Sequence, residues 1–227
     1  MLFRFPHLSW LPACRRLLLL LPALVLAAGL SARSLVKADV QLANNAVLAM
    51  YQDEDANMWI GTYDGLHLYN GKNTFVFRME LDNEFSLCSN IVLEIAPAEK
   101  GYLWVATSLG INKFSLRERR VVESYMQYVD VENIASDSEG NTVLFSGEDF
   151  ITCYRPGRAF FEDVYIPGVR AAEIVAVWSE APRGFCTLGR DGELVRYRLN
   201  DGEGKSLVRV SGRQLSARPV RKAFFNG

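Results

Sequence analysis

Residues whose types could do chemistry are few in this chain and scattered. His67 is the one histidine beyond residue 38, and it alternates with Leu66 and Leu68, which places it on one face of a strand. A metal shell needs several ligands, and a nucleophile needs a base held by a third group, so a lone strand histidine reads as a packing residue. With Cys14 set aside, Cys88, Cys153 and Cys186 are odd in number and lack metal-ligand spacing. They read as unpaired thiols of the core or strand edges. Gly202-Glu203-Gly204-Lys205-Ser206 resembles the end of a phosphate loop, but Leu199 stands where the motif wants its first glycine, and strand-like Leu207-Val208-Arg209-Val210 follows instead of a helix. Carboxylates are abundant, and paired acids would suit glycoside chemistry. Asp53, Glu54 and Asp55, however, sit in a turn, where such residues are solvated turn formers. The inventory leads to the expectation of no catalytic residue, no metal site and no cofactor.

The elements that must position these residues come from a repeat. Residues 58–69 read Met-Trp-Ile-Gly-Thr-Tyr-Asp-Gly-Leu-His-Leu-Tyr. Asp64-Gly65 supplies the φ > 0 positions of a tight turn, and strand-forming residues lie on both sides, which predicts a β-hairpin. Residues 103–114 repeat it: Trp59 and Trp104, Thr62 and Thr107, Gly65 and Gly110, and Asn45 and Asn90 share one spacing of 45. A period in the forties points to propeller blades or helical arrays, and the strand-like content excludes the arrays.

Four-stranded units follow at about 44–88, 89–130, 131–170 and 171–215, with the start of another at 216–227. In the third, Asp137-Ser138-Glu139-Gly140-Asn141-Thr142 parallels Asp53-Glu54-Asp55-Ala56-Asn57-Met58 and puts Val143 where the tryptophans stand. In the fourth, Gly184 parallels Gly101 and Gly140, Thr187 takes the tryptophan position, Asp191-Gly192 makes the hairpin turn, and Tyr197 matches Tyr69. Val220 to Gly227 reads as the first strand and turn of a fifth unit, so the sequence is expected to be the front of a longer protein. The expected fold class is all-β: a partial β-propeller of about four blades and the start of a fifth, preceded by an N-terminal signal helix. Trp59 and Trp104, at equivalent positions of repeated strands, are expected to pack blade against blade.

Residues 1–38 read as a signal peptide or signal anchor. Arg15-Arg16 ends a basic stretch, and an apolar run over 17–30 follows, too short to span a bilayer comfortably. Cleavage sites are offered by Ala27-Ala28-Gly29 and by Val36-Lys37-Ala38. Of the chain's 25 basic and 26 acidic residues, five bases and no acid lie in 1–38, leaving residues 39–227 with 20 bases and 26 acids. An acidic balance excludes nucleic acid as the expected partner, because its binding needs a basic footprint.

Asp-x-x-Gly-Asn-x-Trp-Ile-Gly-Thr followed by x-x-Gly-Leu-x-x-Tyr resembles the two-component regulator propeller repeat. The first unit matches through Asp53, Asn57, Trp59, Ile60, Gly61, Thr62, Gly65, Leu66 and Tyr69, with Ala56 where glycine is usual. The second keeps Gly101, Trp104, Thr107, Gly110 and Phe114, with Ala106 for the second glycine. The third and fourth keep turn glycines (Gly140, Gly184, Gly192) and lose the tryptophans. Such repeats fill the periplasmic half of hybrid two-component sensors of gut anaerobes. The resemblance implies two consecutive propellers, an immunoglobulin-like domain, a membrane helix, a kinase and a response-regulator output, the later parts lying beyond this sequence.

By that resemblance the chain is expected to be exported to the periplasm and attached to the inner membrane through its N-terminal segment or missing C-terminal parts. It is expected to work as a homodimer, binding an oligosaccharide and signalling across the membrane; the intact protein would be a histidine kinase. Residues 79–89 and 126–133, the most variable inter-blade segments, offer Glu80, Asp82, Asn83, Glu84, Tyr128 and Asp130 as ligand-binding candidates on one rim, a set suited to neutral sugar hydroxyls. Two other readings stand beside the sensor: a secreted propeller enzyme (a lyase or glycan hydrolase) and a free-standing exported scaffold.

Overall fold

Short β-branched and aromatic runs punctuated by Asp, Asn and Gly become sixteen strands in the computed structural model, whose described residues are 41–126, 130–147, 150–158, 160–164, 166–200, 207–216 and 218–221. Residues 1–38, read above as an export signal, Tyr128, the stretch 202–206 and positions 222–227, read as part of a fifth unit, lie outside the described residues.

The strands form four antiparallel four-stranded sheets, each a meander. The first holds β1 (Val47–Gln52), β2 (Met58–Thr62), β3 (Gly65–Tyr69) and β4 (Thr74–Phe77). The second holds β5 (Val92–Pro97), β6 (Tyr102–Thr107), β7 (Gly110–Ser115) and β8 (Arg120–Tyr125). The third holds β9 (Val131–Ser136), β10 (Thr142–Ser146), β11 (Phe150–Tyr154) and a two-residue β12 (Glu162–Asp163). After a 3-10 turn at Ala171–Glu173, the fourth holds β13 (Ile174–Ala181), β14 (Gly184–Gly189), β15 (Glu193–Leu199) and β16 (Leu207–Gln214). The first strands of successive sheets touch, β1 on β5, β5 on β9 and β9 on β13, as blades around an axis require.

Each joint between blades has its own core. Trp59, Leu66 and Leu68 of the first blade meet Val92, Leu103, Val105 and Phe114 of the second. Trp104, Ala106 and Ile111 of the second meet Ile134, Leu144 and Tyr154 of the third. Val143, Phe145 and Cys153 of the third meet Phe185, Val195 and Tyr197 of the fourth. Alternate residues of a middle strand therefore serve opposite neighbours, which is why Leu103 and Trp104 fall in different cores. Gly61 lets the first two blades close up, since a Cβ there would lie 2.7 Å from Val92 Cγ1. Gly110, at φ 148°, would put a Cβ 2.7 Å from the Tyr125 carbonyl.

Pairing corrects three positions of the sequence reading. In the first hairpin Thr62 pairs with Gly65, so Tyr63-Asp64 form the turn, and Gly65 at φ 113° has positive φ whereas Asp64 does not. In the fourth blade the tryptophan position is Cys186, not Thr187. Tyr69, Phe114 and Tyr154 each pair with the residue just before the tryptophan position (Met58, Leu103, Thr142), and Tyr197 pairs with Phe185. The residue with positive φ three places earlier is Ala56 (60°), Gly101 (90°), Gly140 (84°) and Arg183 (61°), so Arg183, not Gly184, holds that turn. The β14–β15 hairpin is one residue longer than those of the first two blades, and that extra residue moves the register.

Ala56 pays the steric cost of a left-handed conformation, about 1–2 kcal/mol for an L-residue, offset by the roughly 0.4–1 kcal/mol of chain entropy that alanine saves over glycine. Ala56→Gly should therefore raise stability by up to about 1.6 kcal/mol, read as a higher urea midpoint at unchanged slope.

Candidate functional site

The signature residues Asp53, Asn57 and Trp59 form one hydrogen-bonded unit. The Asp53 carboxylate accepts the N–H groups of Asp55 (3.0 Å) and Asn57 (2.9 Å), the Asn57 amide (3.0 Å) and the Trp59 indole (2.8 Å). Against burial, which would raise it, the bonds from Trp59, Asn57 and Asp55 hold this carboxyl below its ordinary pKa. Asp137 repeats the arrangement with Glu139 and Asn141. Thr62 and Thr107 each donate to the carbonyl of the paired glycine, Gly65 at 3.2 Å and Gly110 at 2.8 Å, closing the hairpins.

Where a blade lacks one member of the unit, the bond crosses to the next blade. The second blade has Ala98 at the aspartate position, and the Trp104 indole donates instead to Thr142 Oγ1 of the third at 2.8 Å. The third blade has Val143 for tryptophan, and the oxygen of Asp137 that an indole would use accepts the Arg183 N–H of the fourth at 2.7 Å. Gly101, Gly140 and Gly192 occupy the positive-φ places expected of them.

His67 is fully buried and faces away from the second blade, and its Nε2 accepts the Ala43 N–H at 3.0 Å. Burial holds its pKa below the ordinary histidine value. A depressed folded pKa means that neutral His67 stabilises the fold above about pH 6.5 and that this contribution is lost as pH falls below it. The melting temperature should accordingly decline on acidification from pH 7 to 5, and His67→Gln, which cannot charge, should flatten that part of the curve. Cys88, Cys153 and Cys186 are unpaired, the last two buried, and burial raises all three thiols, Cys153 and Cys186 to about 11. Such thiols are inert at neutral pH. Among the described residues no group of three or more His, Cys, Asp or Glu is placed to hold a metal.

The sequence passed over one buried cation. Lys113 on β7 is 4% exposed, and its ammonium sits over the rings of Tyr102 (5.1 Å), Trp104 (5.8 Å) and Tyr154 (5.0 Å). It donates to Tyr154 Oη at 3.0 Å, pairs with Glu99, and lies 3.6 Å from Glu123. Burial opposes its charge, but the hydrogen bonds to Glu99 and Tyr154 and the charges of Glu99 and Glu123 raise its pKa. The signal was a lysine at an inward strand position, the same face parity as Ile111.

The rim candidates are not brought to one place. Glu80 and Asn83 line a cavity of about 340 Å³ together with Phe77, Leu87 and Phe114, and Asn83 Nδ2 donates to Glu80 Oε2 at 2.7 Å. Asp82 and Glu84 are exposed beside it and do not line it. Asp130 lies at the third blade's hairpin, where its carbonyl accepts the Gly147 N–H. A second cavity, about 430 Å³, runs between the first two blades among Tyr51, Asp53, Glu54, Asp55, Glu99 and Tyr102. A third, about 350 Å³, lies between the segment leading into the 3-10 turn and the fourth blade.

The family model described as two component regulator propeller matches residues 41–64, which span β1, β2 and their turn. No curated protein matches the chain. The fold is shared with the extracellular domain of the one-component system BT4673 of B. thetaiotaomicron (16% identity, TM-score 0.56, 75% of this chain and 25% of that one). It is shared equally with the extracellular domain of the hybrid two-component system BT3049 of the same organism (20%, TM-score 0.56, 75% and 25%). PorZ, a surface component of the type-IX secretion system of Porphyromonas gingivalis, also has it (11%, TM-score 0.54, 74% and 22%). This chain spans about a quarter of the length of these structures.

Proposed function

We propose that this propeller is the exported, ligand-recognising region of a two-component-type sensor, and that it binds an oligosaccharide and passes the binding signal across a membrane. The observation that carries the reading is the two component regulator propeller match, which falls on the first blade with its Asp53–Asn57–Trp59 unit intact. The extracellular sensor domains that share the fold support it. So does the arrangement itself, a rigid stack of blades that leaves polar cavities at its joints, suited to recognition on a scaffold. The same reading makes the working unit a homodimer held at the membrane by segments flanking the propeller. Among the described residues no helix is long and apolar enough to cross one.

Calorimetry of the intact protein against candidate oligosaccharides, with chromatography of the mixture afterwards, tests the reading. Binding heat with the saccharide recovered unchanged is the expected result. Turnover that disappears when acids within residues 44–227 are replaced would transfer the protein to the secreted propeller enzymes.

A further inference from the structure

We propose that the cavity at the joint of the third and fourth blades is a binding site for one sugar ring of a neutral oligosaccharide; this rests on the saccharide-sensing reading above. The joint is where the repeat departs most from its own pattern. Val143 stands in place of a tryptophan, and the outer strand β12 is cut to two residues. The segment after β12 crosses the joint instead, sending Val164, Ile166 and Ala171 into the core beside Val143 and Tyr197. Between that segment and the fourth blade remains the space of about 350 Å³, at the small end of ligand pockets and of a size for one ring rather than a chain.

Its floor sets Thr187 and Tyr197 beside the apolar Ile174 and Val195. The residue following the tryptophan position is Ile60, Val105 and Leu144 in the first three blades and Thr187 in the fourth. Thr187 is 2% exposed and meets the buried Tyr197 hydroxyl. The other two cavities rest on Leu103 and Leu116, and on Phe77, Leu87 and Phe114. The two hydroxyls partner each other, which meets the cost of burying them in an inter-blade face.

The walls carry three arginines and three carboxylates. Arg209 and Glu193 satisfy each other at 2.5 Å. Arg190 donates Nε to the Ala172 carbonyl at 3.1 Å and has no ion-pair partner among the described residues; neither has Glu173, whose carbonyl accepts the Arg190 N–H at 2.8 Å. Both side chains are exposed, and both line the cavity together with Thr187 and Tyr197. A sugar hydroxyl is donor and acceptor at once, so it can take an N–H from Arg190 while giving its proton to Glu173. The balanced charge of the lining leaves no net field to favour an ionic ligand.

The test is calorimetry of the intact protein with neutral oligosaccharides of glucose, galactose, mannose, xylose and arabinose, and with oligogalacturonate as the acidic arm. A neutral saccharide should bind, and Glu173→Gln and Arg190→Lys should each weaken it at least tenfold at unchanged melting temperature. Thr187→Val, which restores the aliphatic type of the sister blades, should weaken it as well, whereas Glu54→Gln in the cavity between the first two blades should not. Binding untouched by all three changes would overturn this site and leave the saccharide reading standing. Binding of oligogalacturonate alone would overturn the neutral-sugar assignment, and heat from no saccharide would overturn site and reading together.

Discussion

Replacing Trp104 with alanine should lower the unfolding free energy by about 3–5 kcal/mol, the range for deleting a buried large aromatic. Trp104 is 0% exposed, and its ring meets Tyr154 at 5.0 Å and Phe161 at 5.2 Å between centroids. These partners belong to the third blade, so the loss falls on a joint and not on the interior of one sheet. The indole bond to Thr142 also crosses that joint, and removing it leaves the buried hydroxyl to Ser136 and the Gly140 carbonyl of its own blade. Trp104→Phe, which keeps much of the packing and loses the donor, should cost less than half as much. Urea unfolding of the intact protein, without ligand, measures both. A Trp104→Ala protein that kept its melting temperature while losing ligand would move the tryptophan from packing to binding.

Lys113→Ala should cost about 3 kcal/mol, the lower end for breaking a buried ion pair, because Glu99, its side chain 26% exposed, regains some solvent once the lysine is gone. Glu99 Oε2 already has no hydrogen-bond partner, and its other oxygen depends on Lys113. Glu123 takes the Tyr125 hydroxyl at 2.5 Å and shares the same cation. The cost should therefore fall sharply when the carboxylates are neutralised with it. Lys113→Met combined with Glu99→Gln should be at least about 1 kcal/mol more stable than the two single losses add to, the non-additivity of groups in one network. Because folding raises the lysine pKa, its stabilisation is complete below about pH 10.4 and is lost as the pH rises beyond that. Additive single and double values would mean that Lys113 acts through its hydrocarbon stem alone.

The two tryptophans show how far local pattern reaches. Both lie in period-2 strands flanked by the same turn chemistry, so their burial against a neighbour was legible in the sequence. What each indole bonds to was not. Asp53 lies six residues from Trp59 and belongs to the same turn, whereas Thr142 lies 38 residues from Trp104 and becomes its partner only because Ala98 cannot serve. The rim candidates fared similarly. Glu80 and Asn83 are neighbours because a short connector folds on itself, but Asp130 is carried to another blade.

The sequence by itself determined the all-β architecture, the blade count through the fourth sheet, the hairpins at Gly65 and Gly110, and the equivalence of Asp137 with Asp53. These follow from alternation, turn residues and a repeated spacing, all properties of a dozen consecutive residues. Tertiary structure alone decided the register of the fourth blade, where one extra hairpin residue puts Cys186 and not Thr187 at the tryptophan position. It likewise decided the burial of Lys113 and the cavity roofed by the segment after β12. The physical reason is the same in each case. Which face of a strand meets which neighbour, and which donor finds which acceptor across a joint, depends on residues some 40 positions apart brought together by blade packing, and no local period encodes that pairing.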